Sequence, residues 1–170
     1  LNDQGVVVTE GFSQWVLEDN FCAGRPAWEE VGVTMVDDVT PFEHMKLRML
    51  NGTHSTLAYL GFMAGHEYVA NAANDSDFQQ LLLGMWQDEI IPTLSMPSGI
   101  DLQSYAHDLM ARYQNPELHH RLYQIAMDGS QKLPQRLLGA LRDHLDANQL
   151  PKRILLAIAG WMRYVTGIQE

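Results

Sequence analysis

Three side chains that could move a proton and hold a reacting oxygen lie close together in the stretch PFEHMKLRMLNGTH, residues 41–54. They are Lys46, Asn51 and His54. A desolvated lysine can act as a base near neutral pH. An asparagine amide can donate a hydrogen bond to a carbonyl or alkoxide oxygen, and a histidine can bind the same oxygen or orient a substrate. These residue types therefore suit acid–base chemistry at a carbon atom that carries an oxygen.

The helix that must position these residues has a clear start in the sequence. Thr40-Pro41-Phe42-Glu43 reads as a capping box, with Thr40 as the N-cap, Pro41 first in the helix and Glu43 third. The pattern predicts a helix from there to about Ala64, stopped by Gly65.

On an ideal α-helix, Lys46, Glu43, His54 and Asn51 lie at roughly 0°, 60°, 80° and 140° around the axis, all on one side. Three leucines share that side: Leu47, Leu50 and Leu57. We therefore expect a buried helix and a largely apolar wall that desolvates Lys46. Spacing alone, however, equally describes the ordinary polar face of an amphipathic helix, which is the simpler interpretation.

The rest of the chain predicts a mostly α fold. In residues 1–40, the runs 6–9 and 31–36 are typical of short strands, and two strands alone are marginal, so we expect them to pair with a sheet elsewhere. Residues 41–170 are expected to form a helical domain. Its further helices are predicted from Ser76 to before Pro92, from Asp101 through Tyr113, from Asn115-Pro116 to Gly129, from Pro134 to about Asp146, and from Pro151 through Tyr164.

Composition excludes several classes of partner. The formal net charge of −10 argues against nucleic acid and anionic membranes, which need clustered Lys and Arg. No apolar run reaches the ~20 residues that span a bilayer, and no secretory signal segment opens the chain. Cys22 is the single cysteine, which excludes an intrachain disulfide. We expect a cytoplasmic protein, and we expect both ends, Leu1 and the closing GIQE, to be cut edges of a longer chain.

Motifs for other chemistries are absent from the sequence. It contains no GxGxxG or GxxxxGK[ST] phosphate loop, no HExxH and no GxSxG. His119 and His120 are adjacent and point to different helix faces, and His44 and His54 are about 15 Å apart along one helix. No metal site is predicted.

The stretch from Gly11 to Phe62, which contains MKLRMLNGTH, resembles the mannitol dehydrogenase family of long-chain, metal-independent polyol and hexonate dehydrogenases. The most specific part is the pattern K-x4-N-x2-H. Supporting segments are PSGIDL (97–102), RYQNP (112–116), DGSQKLP (128–134) and GWMRYVTG (160–167), so the resemblance covers essentially the whole chain.

The resemblance implies a multi-helical C-terminal dehydrogenase domain, similar to that of 6-phosphogluconate dehydrogenase, with a short β-containing N-terminal segment. It implies a partner in the family's own N-terminal Rossmann domain, which binds NAD and which this chain lacks. It also implies that Lys46 is the general base, that Asn51 and His54 hold the reacting oxygen, and that Glu43 lies on a proton path. A second oxyanion-hole asparagine of the family lies in the N-terminal domain.

This chain departs from the pattern of the mannitol-oxidising members at one position that bears on the substrate, a small sugar acid or polyol. Mannitol-oxidising members carry an Arg where this chain has Gln124, eight residues before Lys132, and both positions belong to the family's substrate pocket. The segment QIAMDGSQKLPQR (124–136) is more similar to the mannonate oxidoreductases, which favours D-mannonate and D-fructuronate as the substrate pair. The alternatives are mannitol and fructose, or a non-catalytic helical interaction module.

Overall fold

The computed structural model describes residues 4–5 and 11–167. The chain divides into two compact units, Leu1–Thr40 and Pro41–Glu170. The strand predicted over residues 6–9 lies outside the described residues. That the first unit packs on a separate nucleotide-binding domain stays a prediction.

The first unit contains two short parallel strands, β1 (Val16–Glu18) and β2 (Thr34–Val36). Their register pairs Val16 with Thr34, Leu17 with Met35 and Glu18 with Val36. The strand predicted over 31–36 is shorter than expected, because Trp28–Val31 form a 3-10 turn that ends at Gly32, whose φ is +92°. The partner strand β1 was not predicted, since a three-residue strand shows little periodicity.

The second unit is helical, and the predicted mostly α architecture is confirmed. Some helical segments have π geometry, in which hydrogen bonds run from residue i to i+5. The helices are α1 (Thr40–Met45), π1 (Lys46–Gly52), α2 (Thr53–Thr56), π2 (Leu57–Gly61), α3 (Val69–Asn74), α4 (Ser76–Gly84), π3 (Met85–Ile90), the 3-10 turn Ile91–Thr93, α5 (Leu102–Tyr113), α6 (Leu122–Ala126), α7 (Gly129–Leu133), π4 (Pro134–Leu138), α8 (Gly139–Asp146) and α9 (Lys152–Val165).

Local capping signals located several helix starts correctly. The Asp101 carboxylate accepts hydrogen bonds from the N–H groups of Gln103 and Ser104 at the start of α5. The helix predicted from Pro151 begins at Lys152. The long first helix begins at Thr40, one residue earlier than predicted, and the Asp38 carboxylate accepts from the Thr40 N–H at 2.8 Å, so Thr40 is not the predicted N-cap. Gly65 adopts a φ of +86° just beyond the end of this helix, as predicted for its stop.

Two predicted starts are wrong. Residues 115–121 form turns and an isolated bridge, because the Asn115 side chain accepts from the Glu117 N–H and Arg121 pairs with Tyr68. Only the end of that region is helical, in α6. Pro134 does not begin a helix either. The helix begins five residues earlier, at Gly129, and Pro134 opens π4 inside it.

The helix α3 (Val69–Asn74) was not predicted, because it is short and follows closely on the preceding helix. Its start is fixed by the Asn71 side chain, which accepts a hydrogen bond from the Tyr68 N–H.

The continuous helical run from residue 40 to residue 63 lies at the centre of the second unit. One side of it is fully buried through Met49, Leu57, Ala58 and Tyr59. The segment π1 packs against π3 and π4, and π2 packs against α6 and α9. No helix of the described residues is long and apolar enough to cross a bilayer.

Candidate active site on the central helix

The π geometry of π1 changes the angular relation of the predicted site residues. On an α-helix, Asn51 lies about 140° around the axis from Lys46. In π1 (Lys46–Gly52), hydrogen bonds join residues five apart, and this wider turn reduces the angle around the axis between Lys46 and Asn51. His54 follows Asn51 by three residues, so these two are neighbours on the helix surface. The wide turn therefore brings Asn51 closer to Lys46 around the axis than an α-helix would.

That side of the helix is open in this chain. Lys46 and Glu43 are exposed, whereas Asn51 and His54 are half-buried. The prediction that an apolar wall desolvates Lys46 is wrong within the described residues. Leu47 and Leu50 are themselves only half-buried and cannot enclose it, and Leu57 lies in the core.

The backbone of π1 is held by side chains from other helices. The indole N–H of Trp86 donates to the carbonyl of Met49 at 3.0 Å. The hydroxyl of Tyr113 donates to the carbonyl of Leu50 at 2.7 Å and lies 2.9 Å from the Thr53 hydroxyl. These contacts satisfy carbonyls inside the wide turn and so help to hold its π geometry.

Tyr113 also fixes the imidazole of His54. The two ring centroids are 4.6 Å apart, with planes tilted by 35°, and the ring of His120 lies 6.4 Å from that of His54. Burial raises the pKa of the Tyr113 phenol well above its ordinary value, so its hydroxyl stays protonated and remains a donor. Tyr113 thus supports both the backbone beside Asn51 and the ring of His54.

The two predicted pocket residues lie on neighbouring helices. Gln124 is exposed on α6, and Lys132 is half-buried on α7. The Lys132 ammonium donates to the carbonyls of Met127 at 2.5 Å and Ile125 at 3.4 Å. Lys132 therefore closes the end of α6 in this structure, and its contact with a substrate stays a prediction, as does that of Gln124.

Two residues near the site were missed by the sequence reasoning. Tyr113 is one, and Arg136 on π4 is the other. Arg136 donates from Nη1 to the hydroxyl of Ser55 at 3.1 Å. No spacing signal could have found either residue, because Tyr113 and Arg136 lie 63 and 81 positions from their partners Leu50 and Ser55.

Ligand groups for a metal ion or a dinucleotide are the remaining feature of the site. Within the described ranges, no group of three or more His, Cys, Asp or Glu side chains is placed to hold a metal ion. The sequence offers no glycine-rich loop for the phosphates of a dinucleotide.

Comparison with known proteins extends the resemblance. The family model of the mannitol dehydrogenase C-terminal domain matches residues 38–170. D-mannonate oxidoreductase of Escherichia coli (strain K12) is 51% identical over 168 residues, which are 99% of this chain and 35% of that protein. Mannitol 2-dehydrogenase of Aspergillus niger is 38% identical over 173 residues, covering 100% of this chain and 36% of that protein.

A solved structure agrees with these matches. The ternary complex of Pseudomonas fluorescens mannitol 2-dehydrogenase with NAD and D-mannitol superimposes with a TM-score of 0.86 at 39% identity, covering 94% of this chain and 32% of that one. The chain spans about a third of the length of the curated relatives it matches. It belongs to the mannitol dehydrogenase family, and it corresponds to the C-terminal domain of that family.

Proposed function

We propose that this chain is the substrate and acid–base domain of an NAD-dependent oxidoreductase that interconverts a hexonate and its keto form, D-mannonate and D-fructuronate. The observation that supports the proposal is that Lys46, Asn51 and His54 belong to one continuous helical run, in which Lys46 and Asn51 are part of π1. The same three residues carry the family pattern, and the family model spans them.

The roles follow from the chemistry of the side chains. In the reducing direction, the Lys46 ammonium donates a proton to the carbonyl oxygen, while the Asn51 amide and the His54 ring donate hydrogen bonds to the developing alkoxide. The nicotinamide, when bound, supplies the hydride. In the oxidising direction Lys46 accepts the hydroxyl proton, and we propose that Glu43, three residues earlier and exposed, passes that proton to solvent.

The exposure of Lys46 bears on the domain arrangement. A lysine works as a base near neutral pH when it is desolvated, and within the described residues Lys46 is open to water. We propose that a Rossmann domain, present in the two-thirds of the relatives' length that this chain does not span, covers this face and holds NAD. The isolated 170 residues are then expected to bind no NADH and to have no turnover. Tight NADH binding by the isolated chain would refute that arrangement.

The choice of a sugar acid is supported by two observations. Identity is higher to D-mannonate oxidoreductase, 51%, than to the mannitol 2-dehydrogenase of A. niger, 38%. The position of Gln124 carries no fixed charge, which distinguishes this chain from the mannitol-oxidising pattern. A hexitol remains the second candidate, because the chain matches a mannitol 2-dehydrogenase structure with a TM-score of 0.86. We also propose a cytoplasmic location, which fractionation of the expressing cells would test.

The test uses the full-length enzyme with D-fructuronate, D-tagaturonate and D-fructose, each with NADH and NADPH. We expect Lys46→Ala to lower kcat by about three orders of magnitude or more, because both proton transfer and a charged donor are lost. Lys152→Ala, an exposed lysine at the start of α9, is the matched control and should retain turnover. Near-wild-type turnover of Lys46→Ala would remove Lys46 as the acid–base group and favour a non-catalytic module.

A further inference from the structure

A second imidazole lies beside the candidate site. The ring centroids of His120 and His54 are 6.4 Å apart, and the two ring planes meet at 75°. The ring of Tyr113, on which His54 packs at 4.6 Å, is buried, whereas His120 is exposed. The imidazole of His54 therefore has a buried ring as one neighbour and a solvent-accessible ring as another.

The backbone holds His120 in this place. Its carbonyl accepts a hydrogen bond from the N–H of Val69 at 2.9 Å. Two residues later, the N–H of Leu122 donates to the carbonyl of Glu67 at 3.0 Å, in an antiparallel pairing of the two segments. The stretch that does not form its predicted helix is thus fixed by distant contacts, and it presents the ring of His120 to His54.

The adjacent histidine has a different neighbour. The ring of His119 lies 5.8 Å from the ring of Tyr68. Among the described residues, only His120 of this pair has its ring next to that of His54. Both histidines are exposed and belong to the same segment, so His119 is a control for any general effect of changing an imidazole there.

The distance between His54 and His120 suits a ligand better than a direct bond. A ring nitrogen lies roughly 1 Å from its centroid, so the nearest nitrogens of the two rings are at least about 4 Å apart. A hydrogen bond to such a nitrogen spans about 2.7–3.2 Å, so the rings do not bond to each other. Two such bonds, one from each ring, can reach neighbouring oxygen atoms of one ligand.

The chemistry of an imidazole matches a hydroxyl group. A neutral imidazole has one donor nitrogen and one acceptor nitrogen, and a hydroxyl group can serve as either partner. In D-mannonate and in D-mannitol, the carbon atoms on both sides of the reacting carbon carry hydroxyl groups. A substrate whose reacting oxygen is held by His54 therefore has a second oxygen atom to offer to His120.

We propose that His120 is a substrate-binding residue that holds a hydroxyl group on a carbon atom next to the one that reacts. This inference rests on the proposed function, because it assumes that the reacting oxygen lies against Asn51 and His54. It extends the site from the central helix to the segment that precedes α6. Because hexonates and hexitols share this hydroxyl group, His120 serves both classes of substrate.

The experiment uses the full-length enzyme with NAD and four substrates: D-mannonate, its 4-deoxy and 6-deoxy analogues, and D-mannitol. Each analogue lacks one of the two hydroxyl groups next to the reacting carbon. Steady-state kinetics give KM and kcat, and calorimetry with NADH in place of NAD gives the affinity for D-mannonate without turnover. His120→Phe keeps an aromatic ring beside His54 but has no hydrogen-bonding atom, whereas His120→Gln keeps a donor and an acceptor. His119→Phe is the matched control.

We expect His120→Phe to raise the KM of D-mannonate and of D-mannitol by roughly 3- to 10-fold with kcat little changed, because one hydrogen bond is lost in ground and transition state alike. His120→Gln should lie between this variant and the wild type. The analogue that lacks the bound hydroxyl group should have the same KM with the wild type and with His120→Phe, and the other analogue should show the full increase. All values for His119→Phe should equal those of the wild type.

Several outcomes would overturn the inference. An unchanged KM in His120→Phe would do so, and so would equal increases for D-mannonate and both analogues, because the loss would then not depend on a hydroxyl group. A lower kcat and a lower thermal unfolding midpoint in both His120 variants, without a change in KM, would indicate a structural role and refute it.

The inference and the proposed function fail separately. An inactive Lys46→Ala with an unaffected His120→Phe refutes only the hydroxyl contact. Full activity in Lys46→Ala, combined with a KM increase in His120→Phe that one deoxy analogue abolishes, refutes only the catalytic role of Lys46.

Discussion

Removal of one hydroxyl group, in Tyr113→Phe, tests how the wide turn of the active-site helix is held. The hydroxyl donates to the Leu50 carbonyl at 2.7 Å and lies 2.9 Å from the Thr53 hydroxyl. The ring packs at 4.6 Å from the imidazole of His54 and at 6.2 Å from the indole of Trp86. The substitution keeps these ring contacts and deletes only the polar group.

The magnitude follows from what the carbonyl loses. An ordinary hydrogen bond contributes about 0.5–1.5 kcal/mol, and a buried polar group left without a partner costs about 1–3 kcal/mol. The Thr53 hydroxyl lies 3.3 Å from the Leu50 carbonyl and can compensate in part, although it already donates to Met49 at 2.5 Å. We therefore expect Tyr113→Phe to lower the free energy of unfolding by roughly 2 kcal/mol.

The assay is equilibrium unfolding in urea, with Tyr105→Phe as the matched control. Tyr105 lies two turns earlier on α5 and is half-buried, and its hydroxyl bonds to none of the described residues. Its loss should change the free energy of unfolding by less than about 0.5 kcal/mol. Equal effects of the two substitutions would refute the reasoning that the Tyr113 hydroxyl stabilises π1.

Three further predictions concern packing, capping and pH. Glu89→Ala should lower the free energy of unfolding by about 2–4 kcal/mol, because the buried Glu89 carboxylate accepts from two backbone N–H groups at the start of α9. Asp88→Ala removes only an exposed ion pair with Arg153 and should lower it by less than about 1 kcal/mol. Equal urea midpoints for the two variants would contradict this prediction. Gly52→Ala should destabilise the protein by about 1–3 kcal/mol, because its Cβ would lie 2.9 Å from the Arg136 carbonyl oxygen. Gly139→Ala, whose Cβ would meet the Arg48 side chain at an ordinary 3.4 Å, should be neutral or stabilising by calorimetry. Burial raises the pKa of Tyr59 from 10.0 to about 12, so the contribution of its protonated hydroxyl to stability is complete below pH 10 and is lost as pH rises towards 12. Tyr59→Phe should therefore reduce the loss of stability between pH 10 and 12, measured by urea unfolding. An unchanged dependence of the unfolding free energy on pH would count against this prediction.

Local signals in the sequence were sufficient where structure is decided by neighbours. Asp101 caps α5 because a carboxylate can reach N–H groups two and three residues away. Gly65 stops the first helix because a positive φ suits glycine. The pattern of Lys46, Asn51 and His54 located the candidate site for the same reason, since all three lie on one helix. Its chemical meaning, however, came from the family resemblance and not from the spacing.

Local signals failed where a distant contact competes. The turn at Asn115 and Pro116 reads as a helix start, but the bridge between Arg121 and Tyr68 draws that segment into another path. Pro134 also reads as a start, yet the helix runs through it as π4. Propensity is a weak prior that tertiary contacts override.

The sequence by itself determined the fold class, the central helix and the identity of its three candidate catalytic residues. Only the tertiary structure decided how these residues are supported and exposed. Trp86 and Tyr113 hold the carbonyls of π1 from other helices, and π1 turns Asn51 towards Lys46. Arg136 reaches Ser55 across 81 positions of chain. The physical reason is that periodicity and capping act within a few residues, whereas hydrogen-bond partners and desolvation are set by segments that meet only when the chain folds.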